Sequence, residues 1–220
     1  DLEMSFVEQE DIFYVVEKLM ISLFKKFSQN KILNDKFPRI SFRESMLKYG
    51  TDKPDLRNPL IINDVTKIFT RNDVNFDIFK KMVKSGACVR VISTKNTKNQ
   101  PRSFFDNIDK WAKEQGASGL AYFTIEKEEK IIGKGPVGKF FSEESLKEIM
   151  KICNASIGDS FFFACGNVSE VEKLLSLARV KIADDLKLVN KDEFAFCWIV
   201  DYPMFELDEK NKKIIFSHNP

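Results

Sequence analysis

Histidine is nearly absent from this chain: 220 residues contain one, His218. The four cysteines, Cys88, Cys153, Cys165 and Cys197, stand far apart with no Cys-x-x-Cys spacing. One imidazole and no paired thiols argue against a zinc site. Three of the cysteines lie in apolar, strand-like or helical surroundings and read as reduced core thiols, which points to the cytoplasm. No stretch approaches the ~18–20 apolar residues of a membrane span. No basic-then-apolar leader is present. The first residue is Asp1 rather than Met, so the true N-terminus is expected upstream. Net charge is small as well, since 35 basic against 33 acidic residues leave +2. That balance neither requires nor excludes a nucleic-acid partner, because a local patch matters more than the sum. Tyrosine (4) and tryptophan (2) are scarce beside 21 phenylalanines. The phenylalanine bias, shared with Lys, Asn and Ile, fits genome composition better than a platform for stacking bases.

What is present describes an ordinary globular chain, 43% hydrophobic and 31% charged, long enough for one or two domains. Asp1–Val7 alternates and predicts a strand. From Glu10 to Phe27, Ile12, Val15, Val16, Leu19, Leu23 and Phe27 recur at helical spacing. Ser41-x-x-Glu44 has the spacing of a capping box, and Gly50 suits the left-handed residue that ends a helix. Thr51-Asp-Lys-Pro-Asp-Leu-Arg57 follows as a polar loop of alternating charge. Between about Thr70 and Asn190 the pattern predicts strands at 88–93, 119–126, 129–133 and 160–165. Helices are predicted from Ser103, Ser142 and Ser169, the last with a second capping box, Ser169-x-x-Glu172. This block is long enough for its own domain, and its pattern predicts a two-layer α+β unit with helices on one face of a mostly antiparallel sheet. The expected division is 1–69, 70–190 and 191–220. The tail predicts a strand over Phe194–Val200 and a strand pair, Met204–Leu207 with Lys213–Ser217.

Two chemical leads are weak by themselves. Gly133-Lys-Gly-Pro-Val-Gly138-Lys139 follows a strand and has the spacing of a phosphate-binding loop, but Phe140 stands where magnesium needs Ser or Thr. The next helix also starts too late to aim its amides at a phosphate. A nucleoside triphosphatase of that kind is therefore disfavoured. His218 has no nucleophile partner, although Asp201, Glu206 and Asp208 are close in sequence. The Lys95–Arg102 segment reads as an exposed basic loop of the kind that can face a nucleic acid. Without a further signal these features describe a protein whose function the residues do not declare.

Several longer motifs supply that signal. Phe37-Pro-Arg-Ile-Ser-Phe, Tyr49-Gly-Thr-Asp-Lys-Pro-Asp-Leu-Arg57, Trp198-Ile-Val-Asp-Tyr-Pro-Met-Phe-Glu206 and Ser217-His-Asn-Pro220 together resemble bacterial-type aspartyl-tRNA synthetase, a class II enzyme. Asp1-Leu-Glu-Met-Ser-Phe looks like the strand closing motif 2 of that family. Gly119-Leu-Ala-Tyr, Gly135-Pro-Val-Gly-Lys-Phe-Phe and Gly158-Asp-Ser-Phe-Phe-Phe are similar to its insertion (GAD) domain. The resemblance implies an α+β fold in which antiparallel class II catalytic-sheet segments flank an inserted two-layer GAD-like domain. It implies ATP-dependent activation of L-aspartate and transfer to tRNA(Asp), and leaves tRNA(Asn) open as a second acceptor. It also implies a homodimer, and magnesium held mainly outside this chain. His218 matches the first histidine of the family's His-His-Pro motif and Asp1 a motif 2 carboxylate; both would contact L-aspartate, with Glu3 a lesser candidate. Asn219 replaces the second histidine. No residue here is assigned a catalytic or metal-binding role, and the resemblance places the motif 2 arginine that grips ATP and the motif 3 arginine outside this stretch, so the isolated chain is expected to be inactive. Asp52, Lys53, Asp55 and Arg57 are expected to form an ion-pair hinge where the insertion departs. The alternatives are a tRNA-binding insertion module and a component of a tRNA-dependent amidotransferase.

Overall fold

The computed structural model describes residues 2–208 and 211–217. Its elements, in chain order, are α1 (Gln9–Phe27), β1 (Lys31–Ile32), β2 (Arg39–Ser41), α2 (Phe42–Tyr49), β3 (Ile62–Asp64), α3 (Asp77–Lys84), β4 (Cys88–Thr94), α4 (Arg102–Glu114), β5 (Ala121–Lys127), β6 (Ile131–Lys134), α5 (Glu143–Ile152), β7 (Ser160–Gly166), α6 (Val168–Asp185), β8 (Glu193–Phe194), β9 (Trp198–Val200), β10 (Phe205–Asp208) and β11 (Lys213–Phe216). Short 3₁₀ turns cover Thr66–Thr70 and Gly138–Phe140. Two compact units result. One comprises residues 1–42, 55–58 and 189–220, the other 43–54 and 59–188.

The larger unit is built on a five-stranded sheet in the order β3-β4-β7-β5-β6, every neighbouring pair antiparallel. Phe161, Phe162 and Phe163 follow one another in β7 and all are buried. Consecutive apolar residues in a strand require cover on both faces. Here Phe161, Phe163, Phe123 and Val91 meet Phe69, Phe141, Leu146 and Ile149 on one face. On the other face Phe162 and Tyr122 stack on Phe105 of α4, with ring centroids 5.8 and 5.0 Å apart. The unit thus has helices on both faces and three layers, not the two expected. Fully burying each such ring stabilises by roughly 1.5–3 kcal/mol, so the abundance of phenylalanine is expressed as core.

Helix ends follow local chemistry. Gly50, at φ +69°, ends α2, and its N–H bonds the Met46 carbonyl. A Cβ there would sit 2.3 Å from the Glu172 carbonyl oxygen, so glycine is needed for both conformation and contact. Ser142 caps α5 by accepting the Ser145 N–H at 3.0 Å and donates its own proton to Asp73. Helix α6 instead starts at Val168 behind Asn167, and Glu172 turns to Arg90 at 2.8 Å. The second capping box therefore does not form, because burial of Arg90 on β4 claims the carboxylate.

Arg71 grips Asp73 through two bonds, 2.8 and 2.9 Å, and also pairs with Glu148. Those bonds and the Ser142 hydroxyl hold the Asp73 carboxyl well below the usual carboxylate range. A lowered folded-state pKa contributes stability above the unfolded value of about 3.9, lost as pH falls through the folded value. Asp73→Asn is therefore expected to be less stable than the parent at pH 7, with the gap closing as pH drops below about 4. Urea midpoints measured across pH check this; a gap constant down to strong acid would contradict it.

The smaller unit packs α1 on two short strand pairs, β1 with β8 and β2 with β9, both parallel. Each pair joins segments separated by more than a hundred residues, well beyond the minimum of about a dozen that a parallel crossover needs. Phe24 of α1 meets Phe194 and Phe196 at 4.7 and 4.8 Å. Phe13 and Phe37 flank Trp198, whose indole donates to Glu17 at 2.8 Å. The strand expected over Asp1–Val7 is not present in its described part: Ser5 and Phe6 form a bend, and Phe6 sits at φ +56°. No described residue pairs with that segment, and an unpaired strand has no ladder to hold it. The tail strand expected over Phe194–Val200 is divided between β8 and β9. The expected pair near the end forms as the antiparallel hairpin β10–β11.

Candidate functional site

The two motif-bearing strands of the smaller unit lie side by side: Arg39, Ile40 and Ser41 of β2 are in register with Trp198, Ile199 and Val200 of β9. Beyond β9 the chain turns at Asp201, φ +57°, a conformation that Asp tolerates better than most residues. Tyr202 then rests against Phe42, centroids 5.1 Å apart. The hairpin returns so that the Ser217 N–H bonds the Met204 carbonyl at 2.9 Å. The residue leading into His218 is thereby fixed beside the Tyr202-Pro203-Met204 turn. His218, Asn219 and Asp1 themselves lie outside the described residues. Glu3 is exposed, in a stretch without regular structure. The proximity of Asp1 to His218, on which the expected aspartate pocket depends, is therefore not among the described geometry.

The polar loop resolves into paired charges. Arg57 forks onto Asp55 at 2.9 and 2.8 Å and reaches the Glu193 carbonyl at 3.4 Å. Asp55 also accepts the Arg57 backbone N–H at 3.0 Å, and its carboxylate raises the Arg57 pKa. Lys53 pairs with Asp52 at 2.7 Å. Pro54 separates the two pairs along the chain. Each charge thus has a partner close by in the loop, the arrangement of a structural clip rather than a ligand cradle.

The glycine-rich loop closes on itself. A Cβ on Gly138 would lie 2.0 Å from the Gly133 carbonyl oxygen, so the glycines serve close backbone approach within the loop. Val137 and Phe141 are buried, and the Lys139 ammonium lies over Phe140 at 5.2 Å. The basic segment 95–102 is also partly spoken for. Lys95 pairs with Asp159 at 3.0 Å, a carboxylate only 1% exposed that also accepts the Asn96 and Ser156 N–H groups at 2.9 and 2.8 Å. Arg102 pairs with Asp106 at 3.3 Å. The Arg102–Asp106 pair has the i,i+4 spacing of a helix, but Asp159 could not be assigned from sequence spacing, because its contacts to Lys95 and Asn96 join loops some sixty residues apart.

Among the described residues no group of three or more His, Cys, Asp or Glu is placed to hold a metal ion. The cysteines are free thiols. Burial pushes Cys153 up to about 12 and Cys165 to about 11, which leaves neither as a ready nucleophile. No helix among the described residues is long and apolar enough to cross a membrane.

The family model for class II tRNA synthetases (D, K and N) matches residues 1–220. The chain belongs to that family. It is 72% identical over 220 residues to the aspartate–tRNA(Asp/Asn) ligase of Pelagibacter ubique, covering all of this chain and 37% of that protein. It is 49% identical over 221 residues to the ligase of the same name from Methylorubrum populi, again covering 100% and 37%. The ligase of that name from Ehrlichia chaffeensis is 49% identical over 220 residues, covering 100% and 36%. The chain therefore spans somewhat over a third of the length of these relatives. As a class II synthetase segment it has the mixed α+β architecture and antiparallel five-stranded sheet described above.

Proposed function

We propose that the chain is part of an aspartate–tRNA ligase that uses ATP to form aspartyl-adenylate and transfers the aspartyl group to tRNA(Asp), and also to tRNA(Asn). The single observation carrying this reading is 72% identity, across the whole chain, to a protein named aspartate–tRNA(Asp/Asn) ligase. The smaller unit would belong to the catalytic body, and the larger, residues 43–54 and 59–188, would carry the insertion. His218, following a serine anchored to the Met204 carbonyl, would donate a hydrogen bond to a substrate carboxylate. Asp1 would orient a basic group beside it, and Glu3 is a weaker candidate for the same pocket. The chemistry needs no covalent enzyme intermediate: it places a carboxylate against the α-phosphate of ATP and stabilises the charge that develops. Magnesium, which would neutralise phosphate charge when bound, has no assignable site among the described residues. A homodimeric, cytoplasmic enzyme is the corresponding assembly.

The test is charging of purified tRNA(Asp) and tRNA(Asn) with radiolabelled aspartate. The parent polypeptide is expected to charge both, and residues 1–220 alone to charge neither, since the ATP-gripping arginines of motifs 2 and 3 are not in this sequence. Charging by the isolated chain would overturn the division of labour proposed. A parent that charges only tRNA(Asp) would remove the dual specificity.

A further inference from the structure

Strand β7 outruns one of its neighbours. β4 accompanies it from Ser160 to Gly166, whereas β5 pairs with it only from Ser160 to Phe163. Before Ala121 the chain turns away through Gly119, at φ +121°. Ala164–Gly166 are thus left with one open edge. The alternation of the ladder identifies the groups facing it. The N–H and C=O of Val89 are used on the far side of β4, by Thr66 and Val65. Cys88 and Arg90 therefore exchange their bonds with Gly166 and Ala164, and the N–H and C=O of Cys165 point into the opening. No described residue forms a β-pair with Cys165 on that side.

The opening is the floor of a groove of about 640 Å³. Ile78, Phe79 and Met82 of α3 form one wall, and Val171, Leu174 and Leu177 of α6 the other. Ile78 is 65% exposed and Leu177 43%. Glu170 stands at the end beside Gly166, its carboxylate 3.5 Å from where a Cβ would be, with no ion pair among the described residues.

We propose that this notch receives an extended peptide strand from another protein, apolar at consecutive positions and carrying a basic residue where it passes Glu170. A bare strand edge is matched by a polypeptide backbone, which offers both a donor and an acceptor, and not by a lipid chain. The two walls lie on opposite faces of the sheet and both are apolar, so side chains pointing either way from the added strand meet hydrophobic surface. Glu170, at the Gly166 end of a groove that Lys173 also lines, supplies local charge complementarity for Lys or Arg. This inference is independent of the ligase reading.

The experiment titrates the fluorescein-labelled peptide Lys-Val-Ile-Val-Ile-Lys with the protein, followed by anisotropy and by amide hydrogen exchange at residues 164–166. A control peptide has proline at its centre and cannot complete the ladder. Saturable binding is expected, with slowed exchange at Cys165. Binding should weaken about tenfold or more with the proline peptide and with either wall variant, Ile78→Lys or Leu177→Lys; both positions are exposed, and unchanged melting of the variants confirms their folding. Absence of saturation, equal binding of the proline peptide, or indifference to both variants would overturn the proposal. So would a Cys165 amide already protected without peptide, whether by a second copy or by another part of the polypeptide.

Discussion

Arg179→Ala is expected to lower the stability of the larger unit, residues 43–54 and 59–188, by about 3–5 kcal/mol. Arg179 lies on α6 and is only 2% exposed. Its Nε donates to the Leu60 carbonyl at 2.5 Å, and its guanidinium lies 4.8 Å from the centre of the Tyr49 ring. Alanine would leave a cavity the size of the lost side chain and a buried carbonyl without that donor, two losses that add. Arg179→Met separates them. It restores most of the volume but not the hydrogen bond, so a smaller loss of about 1–3 kcal/mol is expected. Urea unfolding monitored by circular dichroism gives both values. An alanine variant within about 1 kcal/mol of the parent would show that the buried arginine is not the tie described, given how rarely such groups are buried without partners.

If the parent polypeptide is the ligase proposed, His218→Ala is expected to reduce its kcat/KM for aspartate by about 100-fold or more, the size of effect seen when one charge-stabilising donor is removed. The KM for ATP should change little, because the proposed contact is to the amino-acid carboxylate. His218→Gln retains a donor and should recover part of the loss. If aspartate and ATP kinetics were both unaffected by the alanine variant, the match of His218 to the family's histidine would be coincidental in function.

The parts of the fold that could be read from sequence were those set by local rules. The Ser142 cap, the Gly50 stop and the strands at 88–93 and 160–165 each rest on a few neighbouring residues, and they appear within a residue or two of expectation. The parts misread depend on distant partners. Asp1–Val7 alternates as a strand would, but alternation says nothing about whether a neighbour is present to pair with it. Ser169 and Glu172 have capping-box spacing, yet Arg90, eighty-two residues earlier, takes the carboxylate. Layering was misjudged although the signal was available: Phe161-Phe-Phe-Ala164 has no polar face and so requires cover on both sides.

The candidate site was legible in a different way. Nothing in the spacing of one histidine and scattered carboxylates declares a substrate. Only the long motifs did, and their membership of the class II family is shown. The Asp55–Arg57 clip is a case where charge pattern and structure agree, because its partners are two residues apart. The Lys95–Asp159 pair is the opposite: a basic loop that looked available for nucleic acid is partly held by a carboxylate sixty-four positions away.

Because the matching family model spans enzymes for aspartate, lysine and asparagine, amino-acid dependence is the most direct test of the account. The measurement is ATP–pyrophosphate exchange by the parent polypeptide with each of the three offered separately. Exchange with aspartate and none above background with asparagine or lysine is the predicted result. Exchange driven by asparagine or lysine, or by none of the three, would contradict it.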